Sequence, residues 1–227
     1  MALLGRAALA MWWDIAPDIR ADFEDWHAHE HFPERMAIPG FRRGTRWSSA
    51  SGGDGMFVMY EMDDHDVLSS PAYAARLNAP TPWSTRLMPH HRNMVRSQCR
   101  VLESRGGGVA RHALTVRLSP AQGADARLQA SFHVLVGELA ARPGLTGAHL
   151  LKHQAPKMAT TTEQKIRSNA DQVADWVVVV CGYGLEPLER LLDLELSEAR
   201  LHEHGAIGPR ASGLHTVSYS ATSEDVL

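Results

Sequence analysis

The run Trp26-His27-Ala28-His29-Glu30-His31, continuing as Phe32-Pro33-Glu34-Arg35, gathers the side chains of this chain best suited to move protons or hold a metal. Imidazoles titrate near neutrality and serve as general acids, general bases or ligands. His27 and His31 stand four residues apart, so on a helix their rings share one face, with Trp26 and Glu30 in the adjoining row. All four are expected to point toward a sheet, while His29 is rotated toward solvent. Ile19, Phe23 and Trp26 form an apolar stripe leading into this turn. Where the stripe should continue, His27, Glu30 and His31 stand instead. Such groups are costly in a core unless they are paired, hydrated or used.

Several chemistries fit this cluster. In a cofactor-free enzyme, His27 or His31 is the general base or acid and Glu30 orients it or carries a proton. The string His27-x-x-Glu30-His31 also matches the inverted zinc-peptidase pattern, and His90 or His91 would complete a set such as His27, His31 and His90. A haem would need one axial histidine in an apolar pocket. A non-catalytic module would bind a small molecule or partner at the same place. A purely structural cluster would bond backbone groups. The expectation is a cofactor-free enzyme acting by acid/base chemistry, such as isomerisation or elimination, on a small oxygenated and partly aromatic molecule, with metal or haem as the alternatives.

Two halves of the chain repeat one plan around the cluster. Strand-like runs at 8–13 and 113–118 are each followed by a helix, about 17–36 and about 123–141. Each helix meets a Pro-Gly break, Pro39-Gly40 or Pro143-Gly144, and a single offset of 104 residues relates these landmarks. Further strands follow at 41–48 and 56–60, and at 145–152 and 176–181. A second helix and a last strand close each half, at 66–77 and 93–103, then at 185–202 and 214–222. The polar, Thr-rich segment 154–174 is an insertion, expected to be a surface excursion.

The plan is α+β: two tandem ferredoxin-like β-α-β-β-α-β repeats with antiparallel sheets facing each other as an α/β barrel. Residues 1–105 form the repeat carrying the site. Residues 109–227 form the second, mainly structural repeat, and Gly106-Gly107-Gly108 joins the two. At the offset of 104, His27 and His31 fall on Ser131 and Leu135, so the second helix lacks the ionisable set. Strand alternation supplies pocket candidates: Arg43 or Arg46, whichever side faces the helix, and Tyr60, whose hydroxyl can donate to a substrate oxygen. The segment 70–93 carries several prolines and reads as a stiff loop over the pocket mouth. It contributes Tyr73, Asn78 and Trp83, and Trp26 completes the substrate-binding set.

The pattern Trp26-His27-x-x-Glu30-His31-x-Pro33-Glu34-Arg35, then Ile38-Pro39-Gly40-Phe41-x-Arg43-Gly44, resembles the dimeric α/β-barrel superfamily, nearest its EthD-like and related branches. The resemblance implies a ligand pocket between sheet and helices, faced by a helix histidine. It also implies an activity among cofactor-free monooxygenases, isomerases, lyases, decarboxylases, dehydratases and haem proteins. This chain departs from that pattern in having two histidines with Glu30 rather than one histidine.

Composition narrows the partners. The 227 residues carry a net charge of -3, with no basic excess to neutralise phosphates, so a small-molecule substrate is expected and nucleic acid is not. No run approaches the roughly 18 apolar residues of a membrane span. Three lysines, Lys152, Lys157 and Lys165, leave few candidates for imine chemistry. Cys99 and Cys181 read as reduced core thiols of a cytoplasmic protein. The outer surfaces leave room for a homodimer. His27→Ala and His31→Ala are each expected to keep the fold, checked by circular dichroism, and at least one is expected to abolish ligand binding or turnover.

Overall fold

The computed structural model describes residues 3–167 and 171–226. Eight antiparallel strands close into one barrel, in the order β1-β3-β2-β8-β5-β7-β6-β4. In the first half, β1 (Ala7–Asp14), β2 (Phe41–Ser49), β3 (Gly55–Met62) and β4 (Arg92–Gly106) lie side by side as β4-β1-β3-β2. In the second, β5 (His112–Pro120), β6 (Leu145–His153), β7 (Trp176–Gly182) and β8 (Ala206–Thr222) repeat this order as β8-β5-β7-β6. Two seams, β2 with β8 and β4 with β6, join the sheets.

Alternation on each strand sends one set of side chains into the barrel and the other toward the helices. The interior is packed rather than hollow. Phe57 lies between Trp12 and Trp47, each stacked on it at 5.0 Å between ring centroids. Ala8, Met59, Cys99, Leu151, Val177, Val179 and Cys181 fill the space around this stack. Burial pushes the Cys181 thiol up to about 12 and the Cys99 thiol higher still, so both stay protonated. β7 is buried along its whole length, as its unbroken apolar run requires.

Helices clad the outside of each sheet. Helix α1 covers residues 17–36 and changes character along its length: a 3-10 turn at Pro17–Ile19, α-helix at Arg20–Trp26, a π-turn at His27–His31 and α-helix again at Phe32–Met36. After Met36 the chain turns through Gly40, whose φ of 95° reverses it into β2. On the second sheet, α4 (Asp125–Ala140) buries Leu128, Phe132, Leu135, Val136 and Leu139 in an apolar core of its own.

The segment 70–93 is helical rather than a stiff loop. Ser70 and Thr81 cap α2 (Pro71–Asn78) and α3 (Pro82–Leu87), accepting hydrogen bonds from the backbone N–H groups of Tyr73 and Ser84. Pro71 and Pro82 occupy the first helical turn, where a missing N–H costs nothing. The insertion 154–174 is also more than a surface excursion. It contains α5 (Thr162–Ile166), opened by a capping box between Thr161 and Gln164, and lies over the first half of the molecule. The helical stretch 185–202 is two helices, α6 (Leu185–Asp193) and α7 (Glu198–His204), the second capped by Ser197. Among the described residues, no helix is long and apolar enough to cross a membrane.

Because Phe57 is fully buried between two indoles, Phe57→Ala is expected to lower the free energy of unfolding by about 3–5 kcal/mol. Val134→Ala, at a position 59% exposed, should change it by less than about 0.5 kcal/mol. Urea unfolding of the two variants checks both values.

Candidate active site

The π-turn carries the histidines, and its origin can be located by comparing the two halves. Ala8 pairs with Glu61 as Ala113 pairs with Cys181, an offset of 105 residues at β1. Gly44 pairs with Tyr60 as Ala148 pairs with Val180, an offset of 104 at β2. Helix α1 therefore accommodates one residue more than α4. The buried positions Phe23 and His27 correspond to Leu128 and Phe132, whereas Arg35 corresponds to Leu139, so the extra residue falls within the wider π-turn. The single offset of 104 slips by one before this turn: the counterpart of His27 is the apolar Phe132, not Ser131. Single-turn π-bulges of this kind occur often at functional sites.

The turn stacks the His27 and His31 rings 5.2 Å apart and 14° from parallel. Phe23 covers the His27 ring at 5.3 Å and Phe32 meets it edge-on at 4.7 Å. Arg35 follows four residues after His31. Gly44 lets the sheet approach this helix closely: a Cβ there would fall within 3 Å of the Phe32 and Tyr60 rings.

His27, His31 and Arg35 face a buried cavity between α1 and the outer face of β1, β3 and β4. Leu9, Met11 and Trp13 floor it, Tyr60 and Tyr73 form one wall, and His91, Met94 and Arg96 close another. The roof comes from the second half: Thr161, Glu163, Gln164 and Arg167. Its central tie is an ion pair in which Arg35 Nη2 donates to both Glu163 carboxylate oxygens at 2.6 Å, with both side chains 4% exposed. The water-accessible space beneath is about 40 Å³, enough for about three water molecules.

Both histidines are neutral at pH 7. Burial is the main cause and holds each well below the usual imidazole range, with the Arg46 charge acting next on His27 and the Arg35 charge next on His31. His91 is brought down to about 3, again by burial. Burial raises the Tyr60 phenol, which keeps its proton and remains a donor. Among the described residues, neither the His27 nor the His31 ring makes a hydrogen bond, and Nδ1 of both, Nη1 of Arg35 and the Tyr60 hydroxyl are buried without a partner. Two basic lone pairs and two donor groups thus border one small space.

Of the residues expected at the site, His27, His31, Tyr60 and Tyr73 line this cavity, and Tyr73 Oη accepts from Arg96 Nη2 at 2.9 Å. Glu30 does not: its carboxylate turns to α3, accepting from Trp26 Nε1 at 3.0 Å, Thr81 Oγ1 at 2.5 Å and Ser84 Oγ at 3.3 Å. Trp26 is likewise a packing residue tied to Glu30 and Ser84. Arg43 lies inside the barrel and pairs with Glu61, while Arg46 faces α1 but donates to Ser218 Oγ and the Glu24 carbonyl. Asn78 accepts from the Thr162 backbone N–H at 3.0 Å and so holds the roof. Trp83 donates to Asp22 at 3.1 Å, outside the cavity. His90 is exposed and its neighbour His91 is the cavity residue, which removes the set His27, His31 and His90. Among the described residues, no three His, Cys, Asp or Glu side chains are arranged to hold a metal ion.

The residues not anticipated are Arg35, Arg96, Glu163 and Arg167. Arg35 was detectable, because the spacing 27, 31, 35 continues one helix face. Glu163 had only the capping box to announce its helix, and nothing local tied it to residue 35.

No protein-family model matches the chain, and no curated protein matches it in sequence. Among solved structures it is similar to an anthrone oxidase-like protein, with 14% identity, TM-score 0.68, and coverage of 98% of this chain and 95% of that one. It is also similar to a putative monooxygenase from Fusobacterium nucleatum subsp. nucleatum, with 8% identity, TM-score 0.57 and coverage of 97% and 96%. A third is an uncharacterised ferredoxin-fold protein related to antibiotic biosynthesis monooxygenases from Listeria monocytogenes, with 8% identity, TM-score 0.51 and coverage of 96% and 97%. These likenesses span almost the whole chain and establish a ferredoxin-like fold.

The buried neutral histidines have a cost in acid. Their folded-state pKa values lie below the unfolded value of 6.5, as do those of His149 and His215, each brought to about 4 by burial. Below pH 6.5 the unfolded chain binds more protons than the native one, so stability is complete above 6.5 and falls as pH drops. Each such histidine is expected to cost about 1.4 kcal/mol by pH 5.5. Urea unfolding at pH 7.5 and 5.5 tests this; equal free energies would mean that these rings charge freely in the native state.

Proposed function

We propose that the protein is a cofactor-independent enzyme that removes a proton from a small, enolisable, oxygenated substrate. The observation that carries this is the pairing, across one buried cavity, of two unbonded neutral imidazoles with two unpartnered donors, Tyr60 and Arg35. His27 or His31 takes the proton from a carbon next to a carbonyl, or from a phenol. The electron pair moves onto the oxygen, where the Tyr60 hydroxyl and Arg35 Nη1 donate to the developing charge. The neutral state of the imidazoles matters, because a protonated ring has no lone pair to offer.

Reprotonation at another carbon gives isomerisation, loss of a neighbouring leaving group gives elimination, and reaction with dioxygen gives oxidation. The similar structures, an anthrone oxidase-like protein and a putative monooxygenase, favour dioxygen as the first co-reactant to test. The cavity as described is smaller than any aromatic substrate, so entry requires the roof of Thr161, Glu163 and Arg167 to yield.

The experiment is solvent deuterium exchange into anthrones and other enolisable phenolic ketones, followed by NMR, with an oxygen electrode and metal analysis on the same sample. Exchange should fall at least about 100-fold in a His27→Gln, His31→Gln double variant, and about 10- to 100-fold in Tyr60→Phe. Exchange at the wild-type rate in the double variant would overturn the assignment. One equivalent of bound metal, or a Soret band lost with the histidines, would replace it with a metal or haem reading.

A further inference from the structure

A second cavity, of about 290 Å³, opens at the end of the barrel where β1 finishes and β4 begins. It is separate from the His27 cavity, and the proposed reaction makes no use of it. Arg117 reaches into it from β5, with its guanidinium over the Trp12 ring at 5.0 Å from the centroid. That ring in turn rests on Phe57. Among the described residues, Arg117 forms no ion pair and no side-chain hydrogen bond, and burial pushes its pKa down with no anion opposing the effect. The inward arginine at the other end of the barrel makes the contrast plain: Arg43 has Glu61 as a bidentate partner, at 2.7 and 2.9 Å. Asp14, the carboxylate at the rim of the cavity, accepts from Asn93 Nδ2 at 2.7 Å.

His215 lines the same cavity and is 6% exposed. The Trp12 indole N–H donates to Thr115 Oγ1 at 3.1 Å. Thr115 Oγ1 also lies 3.3 Å from His215 Nε2, a contact in which either atom can be the donor. His215 Nδ1 is buried and, among the described residues, has no hydrogen-bond partner. A guanidinium held over an indole and a buried imidazole nitrogen without a partner thus share one concavity.

We propose that this end of the barrel binds a small organic carboxylate, whose two oxygens engage the Arg117 guanidinium as a fork and whose body fills the remaining space beside His215. Guanidinium geometry matches a carboxylate edge to edge, and its seat on Trp12 removes the entropy cost of ordering it. The cavity volume suits a ligand of roughly benzoate size.

The test is NMR of full-length protein labelled with nitrogen-15, following the Trp12 indole and His215 imidazole signals during titration with benzoate, acetate and sulfate. Expected is a saturable shift of both signals by benzoate, weaker binding of acetate, and weaker still of sulfate. Affinity for benzoate should fall about 10- to 100-fold in Arg117→Gln and stay unchanged in His27→Gln. Should Arg117→Gln fail to fold, Arg117→Lys, which keeps the charge and loses the fork, should weaken benzoate about tenfold. Absence of saturation, equal binding by the Arg117 variants, or sulfate binding as tightly as benzoate would each overturn the proposal.

Discussion

A sheet clad by helices on one side only must bury its other side, and everything in this molecule follows from how that is done. The first four-stranded sheet cannot stand alone in water with Trp12, Trp47, Phe57 and Met59 on its bare face, nor the second with Ala113, Leu151, Val177 and Val179 on its own. Facing the sheets together hides those residues, and the two seams leave no strand edge unpaired. Closure also divides the interior into three apolar layers: the barrel lumen and one helix-covered core on each side. The histidine cavity lies in the first of the outer layers, supported from beneath by strands that the lumen holds rigid.

The roof shows how the second half contributes to a site built on the first. Arg35 and Glu163 are 128 residues apart in sequence, yet each is the other's buried charge partner. Removing one partner of such a pair leaves an uncompensated charge in a dry place, which is far worse than never having buried the pair. The pair therefore fixes the position of α5 more than it adds stability. It also leaves Arg35 with one nitrogen free to face the cavity.

Much of this was legible in the chain. Strand and helix periodicities, the paired Pro-Gly breaks and the unbroken run at 176–181 led to the barrel. The ionisable turn at 27–31 led to the cavity. What misled was local grammar with two meanings. Pro71 and Pro82 stop helices in most contexts but start them behind a serine or threonine cap. Glu30 has the right spacing to join the histidines, but the π-turn and the hydroxyls of Thr81 and Ser84 draw it to the other side. Arg43 and Arg46 could not be sorted without knowing which face of β2 meets α1. Glu163 belongs to the site only through a contact across the fold, which no local pattern encodes.

Closing the barrel within a single chain changes the molecularity of assembly. Where two separate chains supply the sheets, dilution opens the lumen, and each substitution is copied on both sides by symmetry. Here the two sheets remain at a fixed effective concentration set by the short connection between β4 and β5. The integrity of the lumen is then independent of how much protein is present. Each side also changes separately, so a helix bearing His27 and a helix bearing Phe132 at the matching position can share one barrel.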